Sequence, residues 1–231
     1  MIDKNCSIEN IRSRFKDSMT VMVGGFGVPG TPFTLIDALL ATGASDLTLI
    51  KNEANEDHMG LSKLIEAGRC KKIITSHLGL NATVIGFMNR GEIEVDFYPQ
   101  GILAEKIRAG GAGLFGFLTE IGIDTILSDK KQMVTINGRE VIAEPALRAD
   151  VALIHAAVAD HSGNLVYEKS ARNFNPLMAT AADTVIAEVE RVVETGSLDP
   201  DQIHTPGAFV DYLVEIKELT QEYGILAHHV I

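Results

Sequence analysis

The chain has 231 residues, 46% of them hydrophobic, and 20 Lys and Arg against 31 Asp and Glu leave a formal net charge of −11. The apolar share is too high for a disordered chain, and an acidic balance lacks the basic surplus with which nucleic-acid binders neutralise phosphates. An α/β chain of this length buries about 70% of its unfolded surface, and with no repeat or linker-like stretch residues 1–231 read as a single domain.

The start, Met1 to Asn5, has neither the basic patch nor the apolar core of a signal peptide. The longest nearly apolar run, Val151 to Ala159, is far too short to span a bilayer. A cytoplasmic protein with no membrane or nucleic-acid partner is expected. The first strand-like run, Thr20–Val23, feeds Gly24-Gly25-Phe26-Gly27-Val28-Pro29-Gly30 and then a helix whose apolar stripe includes Ile36, Leu39 and Leu40. Thr31 is placed to cap that helix, and Pro32 to take its first position, where a missing N–H costs nothing. Backbone N–H groups at such a junction suit a phosphate, a carboxylate or a developing oxyanion; a tight turn packed beneath other loops is the plainer reading. Gly25-x-Gly27-x-x-Gly30 formally matches the dinucleotide fingerprint, with Glu53 near the spacing of a ribose-binding acid. Pro29 and Pro32, however, push the residues before them out of the α region, so the helix should begin only after all four glycines. A dinucleotide-binding helix includes the third.

Further strand-like runs follow at Asp46–Ile50, Lys72–Thr75, Ile93–Phe97, Asp124–Leu127, Val151–Val158 and Thr184–Glu190. Helical stripes lie between most of them, such as Leu61, Leu64 and Ile65, or Leu103 and Ile107. Strands alternating with helices imply βαβ units, and short β-branched runs with little polar alternation imply burial on both faces. The expected fold is therefore α/β, a doubly wound, mainly parallel sheet. Asn137-Gly138 between two strand-like runs predicts a small antiparallel hairpin excursion.

Six of the 21 glycines fall between residues 101 and 122, and with the four at positions 24, 25, 27 and 30 they suggest two walls of a cleft. Gln100, expected at the end of a strand, can point an amide into that cleft and donate to an oxygen without adding charge, or can hold loop carbonyls together. Arg172, before a helix rich in small residues, can clamp a carboxylate or tie down its own loop. Cys6 and Cys70 show neither C-x-x-C spacing nor a nearby His and read as ordinary thiols; His228-His229 reads as a loose tail, and no metal is expected. No G-x-S-x-G elbow, Walker loop, H-E-x-x-H or paired-Cys motif occurs. Elaborate loops without a nucleophile point to a catalytic group carried by another chain.

The stretch Asp17-Ser18-Met19-Thr20-Val21-Met22-Val23-Gly24-Gly25-Phe26-Gly27-Val28-Pro29-Gly30-Thr31-Pro32 resembles the signature of the family I coenzyme A transferases, the 3-oxoacid CoA-transferase group. Asn52, Tyr98–Gly116, Gly163–Ala182 and Leu198–Gly207 are similar to family segments as well, so the likeness runs from about Ser7 to about Val214. It is to the α (A) subunit, as in the acetate and butyrate–acetoacetate enzymes. Two positions depart from the pattern: Ser18, where Gly or Asn is usual, and Glu53, where a small or amide residue is common. The resemblance implies a β-subunit partner, commonly in an α2β2 assembly, that supplies a glutamate from a Ser-Glu-Asn-Gly motif absent here. It implies ping-pong transfer of CoA between a short-chain acyl-CoA or 3-oxoacyl-CoA and a carboxylic acid through a glutamyl-CoA thioester. By the same resemblance Gln100 binds the acyl carbonyl oxygen, Asn52 and Glu53 contact substrate, and Gly24, Gly25, Phe26, Gly27, Val28, Pro29 and Gly30 contact CoA, a co-substrate and not a resident cofactor. The rival readings are a nucleotide-dependent oxidoreductase built on the Gly25–Gly30 loop and a non-catalytic module binding acyl-CoA or a sugar phosphate.

Overall fold

The computed structural model describes residues 3–129 and 131–223. The expected His228-His229 tail lies outside them. In chain order the elements are α1 (Ile8–Arg12), β1 (Thr20–Val23), α2 (Phe33–Thr42), β2 (Leu47–Ile50), α3 (Leu61–Glu66), β3 (Cys70–Thr75), α4 (Ala82–Asn89), β4 (Glu94–Phe97) and α5 (Gln100–Gly111). There follow β5 (Gly116–Thr119), β6 (Gln132–Ile136), β7 (Arg139–Pro145), β8 (Ala149–Asp160), β9 (Leu165–Val166), α6 (Asn175–Thr180), β10 (Ala182–Val193) and β11 (Tyr212–Glu215). The main sheet runs β11-β10-β8-β1-β2-β3-β4 with every neighbouring pair parallel, and β9 adds antiparallel to β8. A second, antiparallel sheet has the order β5-β7-β6.

Burial on both faces follows from the two-residue period of a strand. Val21 and Val23 point to the side packed by Leu35, Ile36, Leu39 and Leu64 of α2 and α3. Met22 between them points to the side packed by Leu103 and Ile107 of α5 and Met178 of α6. Each such side chain contributes about 1.5–3 kcal/mol by leaving water. Helix α2 stops at Gly43, whose left-handed φ of 79° closes the last turn. Ser18 likewise sits at φ 63°, which accounts for the preference for Gly or Asn at that turn. No helix among the described residues is long and apolar enough to cross a membrane.

The order of strands reverses at β1: β2, β3 and β4 are laid down on one side, β8, β10 and β11 on the other. Such a switch point leaves a crevice at the carboxyl ends of the central strands. The hairpin forms where Asn-Gly predicted it, with Asn137 and Gly138 at φ 52° and 77° and Ile136 paired to Arg139.

Several expectations are corrected. Asp124–Leu127 is no strand: Asp124 has φ 59°, the Thr125 hydroxyl donates to the Gly122 carbonyl, and Ser128 N–H bonds back to Thr125, giving consecutive turns that leave Ile126 exposed. Strands β5, β9 and β11 lack a sequence signal; β5 is half-exposed, β9 has two residues and β11 is the sheet edge, so none carries a long apolar run. Gln100 opens helix α5 and does not end a strand.

The second group of glycines is used for packing more than for lining a cleft. A Cβ on Gly110 would lie 1.9 Å from the Leu147 carbonyl oxygen, on Gly111 2.0 Å from the Thr180 hydroxyl, and on Gly116 2.2 Å from the Glu144 carbonyl oxygen. These contacts seat α5 against the β7–β8 connection and α6, and β5 against β7. Gly110→Ala is therefore expected to lower stability by about 1–3 kcal/mol through overpacking, seen as a lower urea midpoint at unchanged slope. Gly79→Ala, whose new Cβ meets nothing within 4 Å, should stay within about 0.5 kcal/mol of the parent.

Candidate functional site

Parallel strands end at one edge, so the segments following β1, β2, β3 and β4 meet there. The segment after β2 begins Lys51-Asn52-Glu53, all buried. Glu53 Oε1 accepts from the Lys51 ammonium and from the Gly27 amide at 3.0 Å, and Oε2 accepts from the Asn52 amide at 2.6 Å. The Asn52 side-chain oxygen accepts from Gln100 Nε2 at 2.8 Å and from the Ser76 hydroxyl at 2.9 Å. One hydrogen-bonded line thus runs from the glycine-rich loop after β1, through Glu53 and Asn52 after β2, to Gln100 after β4, with Ser76 joining from β3. Gln100 is exposed, and its amide oxygen has no partner among the described residues.

The glycine-rich loop is braced from beneath. Phe26 N–H bonds the Pro29 carbonyl, and the Gly27 carbonyl accepts from Thr31 Oγ1 at 2.7 Å and Asn55 Nδ2 at 2.8 Å. Asn173 and Asn175 donate to the carbonyls of Pro29 and Gly30 at 2.9 and 3.0 Å. A Cβ on Gly30 would fall 2.3 Å from the Ala171 carbonyl oxygen, and one on Gly24 1.8 Å from Asn175 Oδ1. Among the described residues the Val28 amide has no partner. Helix α2 begins at Phe33, after all four glycines, with Pro32 as its cap residue; Thr31 does not cap it, because its hydroxyl is committed to Gly27.

The first turn of α2 is capped instead by a carboxylate from across the sheet. Glu188 on β10, fully buried, takes the Leu35 amide at 3.0 Å and also faces the Thr34 amide. Its other oxygen lies 3.0 Å from His155 Nδ1, and His155 Nε2 lies 3.2 Å from Glu190. A helix N-terminus attracts anions, and here the anion is internal. That removes the physical basis for holding a dinucleotide phosphate at this helix.

Two cavities adjoin the site. A small one, about 40 Å³, is bounded by Gly27, Val28 and Glu53. A larger open one lies over Tyr98 and the β5–β7 sheet, where Glu144 is buried between Lys106, at 2.9 Å, and Lys131.

Similarity to known proteins decides the family. The model of the coenzyme A transferase family matches residues 6–216. The chain belongs to the coenzyme A transferase family. It is 47% identical over 218 residues to the alpha chain of the acetate CoA-transferase of Escherichia coli K12, covering 94% of this chain and 99% of that one. It is 43% identical over 215 residues to the alpha chain of the acetoacetyl-CoA:acetate/butyrate CoA transferase of Clostridium acetobutylicum, covering 93% and 99%. An acyl-CoA transferase of Escherichia coli O157:H7, solved as a thioester complex with CoA, superposes with TM-score 0.86 at 24% identity. This chain covers 95% of its own length there but about half of that structure, 48%, and at that identity the likeness is one of fold.

In this coenzyme A transferase chain, Gln100, Asn52, Glu53 and the Gly24–Gly30 loop are brought together, and Arg172 is not. The Arg172 side chain is exposed and makes no hydrogen bond or ion pair among the described residues, so it neither clamps its loop nor reaches the cluster. Lys51, Ser76 and Asn55 belong to the cluster without having been expected there; the available signal was a polar residue placed directly after an apolar strand, as in Ile50-Lys51 and Thr75-Ser76. Burial pulls the Lys51 ammonium below its ordinary value, against the charge of Glu53. Cys70 is buried and its thiol is pushed up to about 12, an inert group.

Burial alone would lower His155, but Glu188 and Glu190 outweigh it and raise the imidazole from 6.5 to about 9. A raised pKa means that protonation of His155 stabilises the fold fully below pH 6.5, and that this contribution is lost as pH rises through about 9. His155→Gln, which leaves Glu188 buried without a cation, should cost about 3–5 kcal/mol. Because His155→Gln removes the titrating imidazole, the parent should lose more stability than the variant as pH rises through about 9; urea midpoints from about pH 6 to 10 measure both.

Proposed function

We propose that this chain is the α subunit of a heteromeric CoA-transferase that moves CoA between a short-chain acyl-CoA or 3-oxoacyl-CoA and a carboxylic acid. The observation that carries the reading is the state of Glu53. It is the carboxylate of the cluster, yet both its oxygens are engaged by Lys51, Gly27 and Asn52. A carboxylate so bound is a poor nucleophile. The attacking glutamate therefore comes from a β subunit, in an α2β2 assembly in the cytoplasm, with residues 1–231 acting as one domain.

In this scheme the partner's carboxylate adds to the thioester carbonyl, and the tetrahedral intermediate expels CoA thiolate to leave a mixed anhydride. The thiolate then attacks the glutamyl carbonyl of that anhydride, releasing the donor acid and leaving a glutamyl-CoA thioester. The acceptor acid runs the same steps backwards. Each addition develops an oxyanion, which Gln100 Nε2 meets as a neutral donor held in place by Asn52. Asn52 is fully buried with its oxygen already accepting two bonds, so it acts on substrate through Gln100. Because Glu188 occupies the α2 terminus, Gly24–Gly30 receives the thioester end of CoA, with the unpartnered Val28 amide as a second donor, and the phosphates lie elsewhere.

The isolated chain should transfer no CoA from acetoacetyl-CoA to acetate, and addition of the β subunit should restore transfer. Steady turnover by the pure chain would overturn its dependence on a partner. In the complex, Gln100→Ala should lower kcat by about 10- to 1,000-fold; a near-normal rate would leave Gln100 as a loop-packing residue.

A further inference from the structure

Residues 217–223 follow β11, lie beyond the stretch that matches the family, and return to the glycine-rich loop. Glu222 pairs with Lys63 of α3, which also holds Asp37 of α2 at 2.9 Å, so the segment is fastened beside α2. Tyr223 packs its ring against the cluster of Val28, Phe33 and Met59. The ring meets that of Phe33 edge-on, with centroids 5.0 Å apart, and lies 5.2 Å from the His155 ring. Its hydroxyl donates to the Thr31 carbonyl, 192 positions back along the chain. Burial, with the carboxylates of Glu188, Glu190 and Glu222 nearby, pushes the phenol above its ordinary value and keeps it a donor.

Thr31 is the residue that shapes the loop. Its amide bonds the Val28 carbonyl at 3.1 Å, and its hydroxyl bonds the Gly27 carbonyl at 2.7 Å. The Gly27 carbonyl and the Val28 amide belong to one planar, trans peptide unit and so point in opposite directions. Drawing that carbonyl toward Thr31 therefore turns the Val28 N–H away from it, where it has no partner among the described residues. Resting on the CoA-transferase reading, we propose that Tyr223 is a positioning residue for CoA transfer: by holding Thr31 it fixes the peptide unit whose Val28 amide, with Gln100, receives the oxyanion. The Thr31 carbonyl also accepts the Phe33 amide at 3.0 Å, so the fold does not depend on the phenol alone. Aim depends on it more steeply, because displacing a group at a reacting centre by about 1 Å costs up to about a hundredfold in rate.

The test uses the reconstituted complex with acetoacetyl-CoA as donor and acetate as acceptor. Tyr223→Phe keeps the ring and removes only the hydroxyl; it should lower kcat about tenfold, leave KM for acetoacetyl-CoA within about twofold, and keep the urea midpoint near that of the parent. Thr31→Val removes the hydroxyl that holds the Gly27 carbonyl. On that background Tyr223→Phe should cost less than about a further twofold, because both changes act through the same peptide unit. A parent-like kcat in Tyr223→Phe overturns the proposal while leaving the CoA-transferase function intact. So does a loss carried by KM, or one that only follows a lowered urea midpoint, since either makes Tyr223 a packing residue. An undiminished loss on the Thr31→Val background overturns the route through Thr31. Absence of transfer from every acyl-CoA by the parent complex overturns the function itself, and the proposal with it.

Discussion

Glu53 leaves the end of β2 with its carboxylate turned into the sheet edge, where it takes the Lys51 ammonium, the Gly27 amide and an Asn52 amide hydrogen. Without Glu53 the Lys51 charge would stand buried and unpaired, a cost of several kcal/mol. The pair therefore holds the loops after β1 and β2 in one arrangement, and Asn52, oriented by that carboxylate, orients Gln100 in turn. A single buried ion pair connects fold stability to the position of the exposed Gln100 amide.

A second buried pair works from the opposite side. His155 and Glu188 bind β8 and β10 to the start of α2, so the helix that follows the glycine-rich loop has its N-terminus already satisfied. The glycines at 24 and 30 serve the same end by admitting Asn175 and the Ala171 carbonyl at distances no side chain allows. The loop is thus a rigid shelf whose unpartnered amides among the described residues are those of Gly25, Val28 and Gly30. That explains why a formal Gly-x-Gly-x-x-Gly spacing here has a different physical use from a pyrophosphate cradle.

The parts of the fold that periodicity made legible are those where burial is two-sided. β1 begins and ends at Thr20 and Val23 as expected, and the Asn137-Gly138 turn needs only local backbone preference. The Asp124–Leu127 run misled because four residues of mixed polarity cannot distinguish a strand from successive turns closed by Thr125 and Ser128. Gln100 and the loop glycines stood out by residue type, whereas Ser76 did not, because its partner Asn52 is brought near only by the fold, and Lys51 did not, because its burial beside Glu53 leaves no mark in residue type.

By itself the amino-acid sequence determined the α/β class, the parallel sheet, the hairpin and the family, since these rest on local pattern and on similarity spread over the whole chain. Only the tertiary structure decided which polar groups are free. Whether Glu53 is a nucleophile or a tether depends on the side-chain geometry of its neighbours Lys51 and Asn52 and on the distant Gly27 amide, and whether the α2 terminus awaits a phosphate or already holds Glu188, and whether Gly110 lines a cleft or seats a helix, depend on contacts between residues tens of positions apart. Hydrogen-bond capacity is finite, and its use is settled by whatever the fold brings within about 3 Å.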